Sequence, residues 1–260
     1  MLINRREVLL AALAASVVRA ETAKKTAAQT FVFVPGAWHG AWCFEAVEKL
    51  LKAQGHATVA LTLTGVSDRA KEASAEVNLE THIQDVVGRL EKDELTQVTL
   101  VGHSYGGMVV TGAAARVPNR IAHLVYLDAF VPESGQSMFD LSRPKFVASW
   151  KKRAAESKSG YLVPPMLNAK SMGIDDAAQA KLVDAKLTPQ PIATFEQAVQ
   201  FEKAALEPIR KTYIHCAKFS GFGPTAERVK KGGMKVVDIE SGHDAMLAAP
   251  QLLAGVLVSG

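Results

Sequence analysis

Cysteine is scarce: 2 residues in 260 can make one bridge at most, which excludes a disulfide scaffold. Neither sign of charge dominates. Lys+Arg 30 against Asp+Glu 26 leaves a net +4, and without a long Lys/Arg run this is no footprint for nucleic acid. No apolar stretch reaches the roughly 20 residues of a spanning helix, so no stable membrane anchor is expected. H-E-x-x-H is missing, as is a Cys pair at ligand spacing, and no Walker-type or G-x-G-x-x-G loop follows a strand. The sequence therefore calls for no metal and no cofactor. What is present is an apolar supply of 48% with 22% charged residues, which excludes a disordered chain and suffices for a large core.

At the amino terminus Arg5-Arg6 precede the largely apolar Val8–Val18, the layout of a twin-arginine (Tat) export signal. This predicts a signal peptide over residues 1–20 cleaved after Ala20, a linker over 21–29 and one domain over 30–260. The chain's destination would be the periplasm or the exterior; the alternative is a cytoplasmic protein with an amino-terminal extension.

Downstream, short apolar runs alternate with helical spacing. Strands are expected at Phe31–Val34, Ala57–Leu63, Gln97–Val101 and Ile121–Leu127, with helices at Ala41–Gln54, Leu79–Leu90 and Gly107–Arg116. Strand–helix alternation implies an α/β class with a mostly parallel central sheet flanked by helices. The rhythm breaks between Val131 and Pro208, where prolines recur and no strand is evident, which predicts a helical cap over about 133–208. Strands at Thr212–Cys216 and Lys235–Ile239 and a helix over Ala245–Val258, interrupted near Pro250, complete the chain.

The sharpest motif is Gly102-His103-Ser104-Tyr105-Gly106, a G-x-S-x-G pattern. Chance at this composition supplies roughly 0.07 such patterns, and here a strand leads in and a helix follows, as a nucleophile elbow requires. Ser104 is thus the candidate nucleophile, and a serine hydroxyl needs a base. His243, in the loop before the last helix, suits that role; His56, His82, His103, His123 and His215 fall in or beside regular elements and read as structural. An acid must orient the base. Asp128 ends a buried strand, where a carboxylate is costly unless paired, and is the preferred candidate. Asp244, Glu227 and a dyad without an acid stay open. Backbone N–H groups of Tyr105 and Ala37 are the expected oxyanion donors. Trp38, His39, Phe130 and Met246 are the pocket candidates, and Cys43 and Cys216 read as small buried residues.

The runs Phe31-Val-Phe-Val-Pro-Gly-Ala-Trp-His-Gly-Ala-Trp, Gly-His-Ser-Tyr-Gly-Gly and Gly-His-Asp-Ala-Met-Leu resemble the α/β-hydrolase superfamily. Within it they are similar to the branch of plant methylesterases, hydroxynitrile lyases and bacterial relatives. The resemblance implies the α/β-hydrolase fold with Ser104 as nucleophile, His243 as base, and Ala37 and Tyr105 as oxyanion donors. Three departures stand out. No carboxylate follows the strand ending at Cys216, the branch's usual acid position; Asp128 instead matches the position some haloalkane dehalogenases use. Asp244 stands where the lyases carry Lys, which disfavours cyanohydrin cleavage. Pro35 stands where relatives commonly have His. The expectation is a serine hydrolase whose partner is a small, largely apolar carboxylic ester. A lactonase or an amide or carbamate hydrolase is the alternative, and a non-catalytic ligand-binding receptor on the same fold is the rival from another class. Dehalogenation is disfavoured by Ser104, since that chemistry uses a carboxylate nucleophile.

Overall fold

A computed structural model describes residues 27–260; the export signal read on residues 1–20 lies outside them. Among the described residues eight strands are formed: β1 (Thr30–Val34), β2 (Ala57–Ala60), β3 (Val98–His103), β4 (Ile121–Leu127), β5 (Leu162–Val163), β6 (Gln190–Pro191), β7 (Arg210–Cys216) and β8 (Lys235–Ile239). Six of them make one sheet in the order β2-β1-β3-β4-β7-β8, every pair parallel. Between β1 and β3 the order of chain progression reverses, and at such a switch point the carboxyl ends of strands leave a crevice.

Both faces of the sheet are covered, which is why its strands read as continuous apolar runs. Side-chain alternation along β1 sends Phe31 and Phe33 to one face and Val32 and Val34 to the other. The phenylalanine face packs on helices α1 (Glu45–Ala53) and, at the chain end, the last helix, through Val47, Leu51, Leu253 and Leu257. The valine face packs on α2 (Leu79–Lys92) and α3 (Gly106–Arg116) through Ile83, Val86 and Met108. Phe31 and Phe33 are wholly buried, and burial of each is worth about 1.5–3 kcal/mol.

The cap carries α4 (Pro144–Glu156), α5 (Ala177–Lys186), α6 (Ala193–Glu196) and α7 (Lys203–Leu206). Contrary to the sequence reading, it also holds a short antiparallel pair, β5 with β6; two residues per strand leave no periodicity to read. The strand expected over Ala57–Leu63 stops at Ala60. Beyond it Leu61 N–H still donates to Phe33 O, and side chains then hold the chain, with Ala41 N–H donating to Thr62 Oγ1 and Thr64 N–H to Asp85 Oδ2. One helix goes unread in the sequence: α8 (Gly223–Lys231), the crossover from β7 to β8, which buries only Ala226 and Val229. The chain closes with α9 (Ala245–Ala248) and α10 (Pro250–Ser259), divided at Pro250 as expected.

Candidate active site

Three loops leave the carboxyl ends of adjacent strands β1, β3 and β4, and each holds a non-glycine residue in the left-handed region: Trp38 at φ 67°, Ser104 at φ 52° and Asp128 at φ 42°. Such conformations persist only where the surrounding structure enforces them. At Ser104 the enforcement is visible. Its N–H donates to Leu127 O at 3.2 Å, and its carbonyl accepts from Phe130 N–H at 3.1 Å. The flanking glycines are steric necessities. A Cβ on Gly102 would lie 2.5 Å from Val110 Cγ2, and one on Gly106 would lie 2.7 Å from both the Val34 and Pro35 carbonyl oxygens.

His243 follows β8 and is 3% exposed. Its Nδ1 lies 2.6 Å from Asp128 Oδ2. Asp128 is fully buried, and its other oxygen accepts from Cys216 N–H at 3.2 Å. The end of β7, where the branch's acid was missed, thus contributes a backbone donor to an acid carried by β4. Tyr213 on β7 fixes the same turn: its hydroxyl accepts from Ala129 N–H and donates to Ala129 O. The other two open candidates fall elsewhere. Asp244 faces His39, with Nε2 to Oδ2 at 3.1 Å, and Glu227 lies in α8.

The imidazole of His243 is packed among three rings. Phe219 stacks on it at 4.5 Å and 26°, with Phe222 at 5.4 Å, while His103 lies against it at 4.5 Å. His103, read from the sequence as structural, is therefore part of the site: its Nε2–H donates to His243 O at 3.1 Å. Burial, reinforced by the neighbouring His243, holds its pKa well below the usual histidine value. Neighbours across strand ends leave no spacing signal, so nothing in the sequence distinguished it.

Ser104 and His243 line one small cavity of about 20 Å³ together with Ala37, Trp38, His39 and the cap residues Leu167 and Met172. Larger hollows of about 410 and 670 Å³ lie on the cap surface and include none of these residues. Of the pocket candidates, Trp38 and His39 line the cavity; Phe130 and Met246 do not. Phe130 packs edge-on against Phe222 at 4.9 Å, and Met246 is wholly buried in the core beneath the phenylalanine face. Neither the Ala37 nor the Tyr105 N–H donates to a described residue. The Ala37 loop is tied to the cap through Trp38, whose N–H donates to Gln190 Oε1 at 3.0 Å, whose indole N–H donates to Val163 O at 3.2 Å and whose carbonyl accepts from Thr188 N–H at 3.1 Å.

His103, His243 and Asp244 bring ligand-type atoms within 4.8 Å of one another. His243 Nδ1, His103 Nε2 and Asp244 Oδ2 are engaged by Asp128, the His243 carbonyl and His39, while His103 Nδ1 and Asp244 Oδ1 have no hydrogen-bond partner among the described residues. Cys43 and Cys216 are buried free thiols; burial, with the Asp244 charge near Cys43 and the Asp128 charge near Cys216, raises both above the usual thiol value. They are poor nucleophiles.

Residues 31–256 match the alpha/beta hydrolase family. The carbendazim hydrolyzing esterase of Nocardioides sp. (strain SG-4G) is 37% identical over 244 residues, spanning 88% of this chain and 98% of that protein. Methylesterase 2 of Arabidopsis thaliana is 34% identical over 113 residues, 42% of each. Among solved structures, an extracellular α/β-hydrolase from a Paenibacillus species, described as sharing structural and functional homology with tobacco salicylic acid binding protein 2, superposes with TM-score 0.79. It is 23% identical and covers 89% of this chain and 98% of its own. Tomato methylketone synthase I gives TM-score 0.74 at 20% identity, over 89% and 97%. The family, spanning nearly all described residues, and the esterases among the relatives agree with the strand-end geometry: this chain belongs to the alpha/beta hydrolase family and is an enzyme of its esterase-bearing kind.

Proposed function

We propose that this enzyme cleaves small, largely apolar carboxylic esters through an acyl-enzyme on Ser104. The reading is carried by one observation: Ser104 and His243 share a cavity while Asp128 engages the far nitrogen of the same imidazole at 2.6 Å. In this mechanism Asp128 keeps the proton on Nδ1, leaving Nε2 free to take the Ser104 proton as the hydroxyl attacks the ester carbonyl. The oxyanion is met by the N–H groups of Ala37 and Tyr105. His243 then protonates the departing alcohol, and water, deprotonated by His243, releases the acid. Phe219 and Phe222 lie over the imidazole face, where their π-systems favour its cationic form.

A second reading, hydrolysis of carbamates, draws on the carbendazim-hydrolyzing relative, carbendazim being a carbamate. The test is turnover of p-nitrophenyl acetate and butyrate, with a lactone, an anilide and carbendazim alongside, by wild type, Ser104→Ala and His243→Ala. Loss of turnover by roughly a thousandfold or more is expected in both variants. Full ester turnover by Ser104→Ala would overturn the reading. Neither turnover nor fluorophosphonate labelling at Ser104 would favour the ligand-binding rival. We also propose export through the Arg5-Arg6 signal; replacing both arginines by lysine should retain the protein in the cytoplasm, and unchanged fractionation would refute it.

A further inference from the structure

His39 and Asp244 take no part in the mechanism above, yet both are buried at the site, 2% and 0% exposed. Both ring nitrogens of His39 face acceptors. Nδ1 lies 2.8 Å from the Ala37 carbonyl oxygen, and Nε2 lies 3.1 Å from Asp244 Oδ2. A carbonyl only accepts, so Nδ1 carries a proton. The Asp244 contact then needs a second one, placed on His39 as an imidazolium or on Asp244 as a carboxylic acid. Burial pulls His39 down, but the Asp244 charge, the bond to it and the Ala37 carbonyl carry its pKa above the ordinary value. Burial pushes Asp244 up, but His39 and the other two histidines bring its carboxyl below the ordinary value. Both directions favour the ionic form of the pair.

Its position gives it leverage. His39 holds two carbonyls of the Pro35–Gly40 loop, Ala37 O through the ring and Gly36 O through its own N–H at 3.4 Å. Asp244 directly follows His243, and its N–H donates to Met172 O at 3.0 Å. One ionic bond thus spans the loop bearing Ala37 N–H and the segment bearing His243. We propose that His39 and Asp244 are positioning residues: a buried imidazolium–carboxylate link, distinct from the Asp128–His243 pair, that locks the oxyanion loop to the catalytic base. The proposal rests on the serine-esterase reading. His103, His243 and the Cys43 and Cys216 thiols are the other titratable groups near the link, and Trp42 stacks on His39 at 5.4 Å with Lys186 Nζ 5.0 Å from the Trp42 ring centre.

The experiment is ester hydrolysis per active site titrated with a fluorophosphonate, across pH, for wild type, His39→Gln, His39→Ala, Asp244→Asn, Asp244→Ala and the double alanine variant. Alanine at either position should lower kcat about a hundredfold with KM within about threefold, as misplaced catalytic groups do, and the double variant should fall no further. Asp244→Asn keeps the shape and one hydrogen bond to a neutral His39 but removes the charge. The proposal expects it to lower kcat about tenfold and to move the alkaline limb of the profile to lower pH, because the imidazolium has lost its counter-charge. A kcat within twofold of wild type in all variants, or an unmoved limb, overturns it. If the alanine variants do not fold, ¹⁵N resonances of His39 in the wild-type protein decide: two protonated nitrogens at neutral pH uphold the link, and one refutes it. Failure of wild-type Ser104 to be labelled would instead sink the esterase reading, so the two failures are distinguishable.

Discussion

At the residue scale, the acid is the informative case. Asp128 has its two oxygens on two partners, His243 and the Cys216 N–H, and no exposure. Asp128→Asn preserves size but can present an amide N–H to Nδ1, which favours the wrong imidazole tautomer. A fall in kcat of roughly a hundred- to ten-thousandfold is expected, with KM nearly unchanged, read by ester hydrolysis; retention of wild-type kcat would transfer the role elsewhere. The meeting of Ser104, His243 and Asp128 at the strand ends was legible in the sequence because each ends a strand pattern or sits in a motif with directional flanks. His39–Asp244 was not, since their partnership spans 205 positions and depends on two loops meeting over the sheet. Met246 was misread for the converse reason: closeness to His243 in sequence says nothing about which side of a short helix faces the core.

At the scale of elements, the elbow and the cap make opposite demands. Helix α3 starts at Gly106, where alanine would gain up to about 1 kcal/mol of helix propensity. Two carbonyl oxygens at 2.7 Å from the added Cβ outweigh that gain, so Gly106→Ala should destabilise the fold by roughly 2 kcal/mol or more in urea unfolding. The cap instead sets the room for substrate. Leu167 and Met172 line the cavity of about 20 Å³ beside Ser104 and His243. Leu167→Ala should therefore raise the butyrate-to-acetate ratio of kcat/KM, by up to about tenfold. An unchanged ratio would place the acyl group away from Leu167. Cap architecture was the least legible part of the sequence: its pieces are short, proline-broken and packed by scattered aromatics such as Trp150 and Phe195 against Trp38 and Tyr105. The central sheet was the most legible, because burial on both faces leaves a continuous apolar signature.

Over the whole molecule, buried histidines are expected to weaken the fold in acid. His82 donates through Nε2–H to Thr64 O and accepts from the Tyr105 hydroxyl at Nδ1, a neutral arrangement, and burial lowers its pKa to about 4. His103 and His123 are shifted in the same direction, burial being the largest cause in each. Between pH 6.5 and 4 the unfolded chain binds protons that these folded histidines refuse, so stability falls as pH drops through that window. His39 acts in the opposite sense, its contribution being complete below 6.5 and lost as pH rises through its raised pKa. His82 alone should cost about 2 kcal/mol between pH 7 and 5, or a Tm lower by on the order of 5 °C. Calorimetry of wild type and His82→Gln at the two pH values checks this; an equal drop in both would remove His82 as a cause.

The acid's location also bears on how this scaffold can change. Because β4 supplies the carboxylate, the turn after β7, residues 217–222, has no proposed catalytic group of its own while still facing the base through Phe219 and Phe222. That turn is a mutable wall beside a fixed engine. Libraries built on its exposed Lys218 and Ser220 could therefore reshape what reaches the imidazole while leaving Asp128 in place, a freedom unavailable to a chain whose acid occupies the same turn.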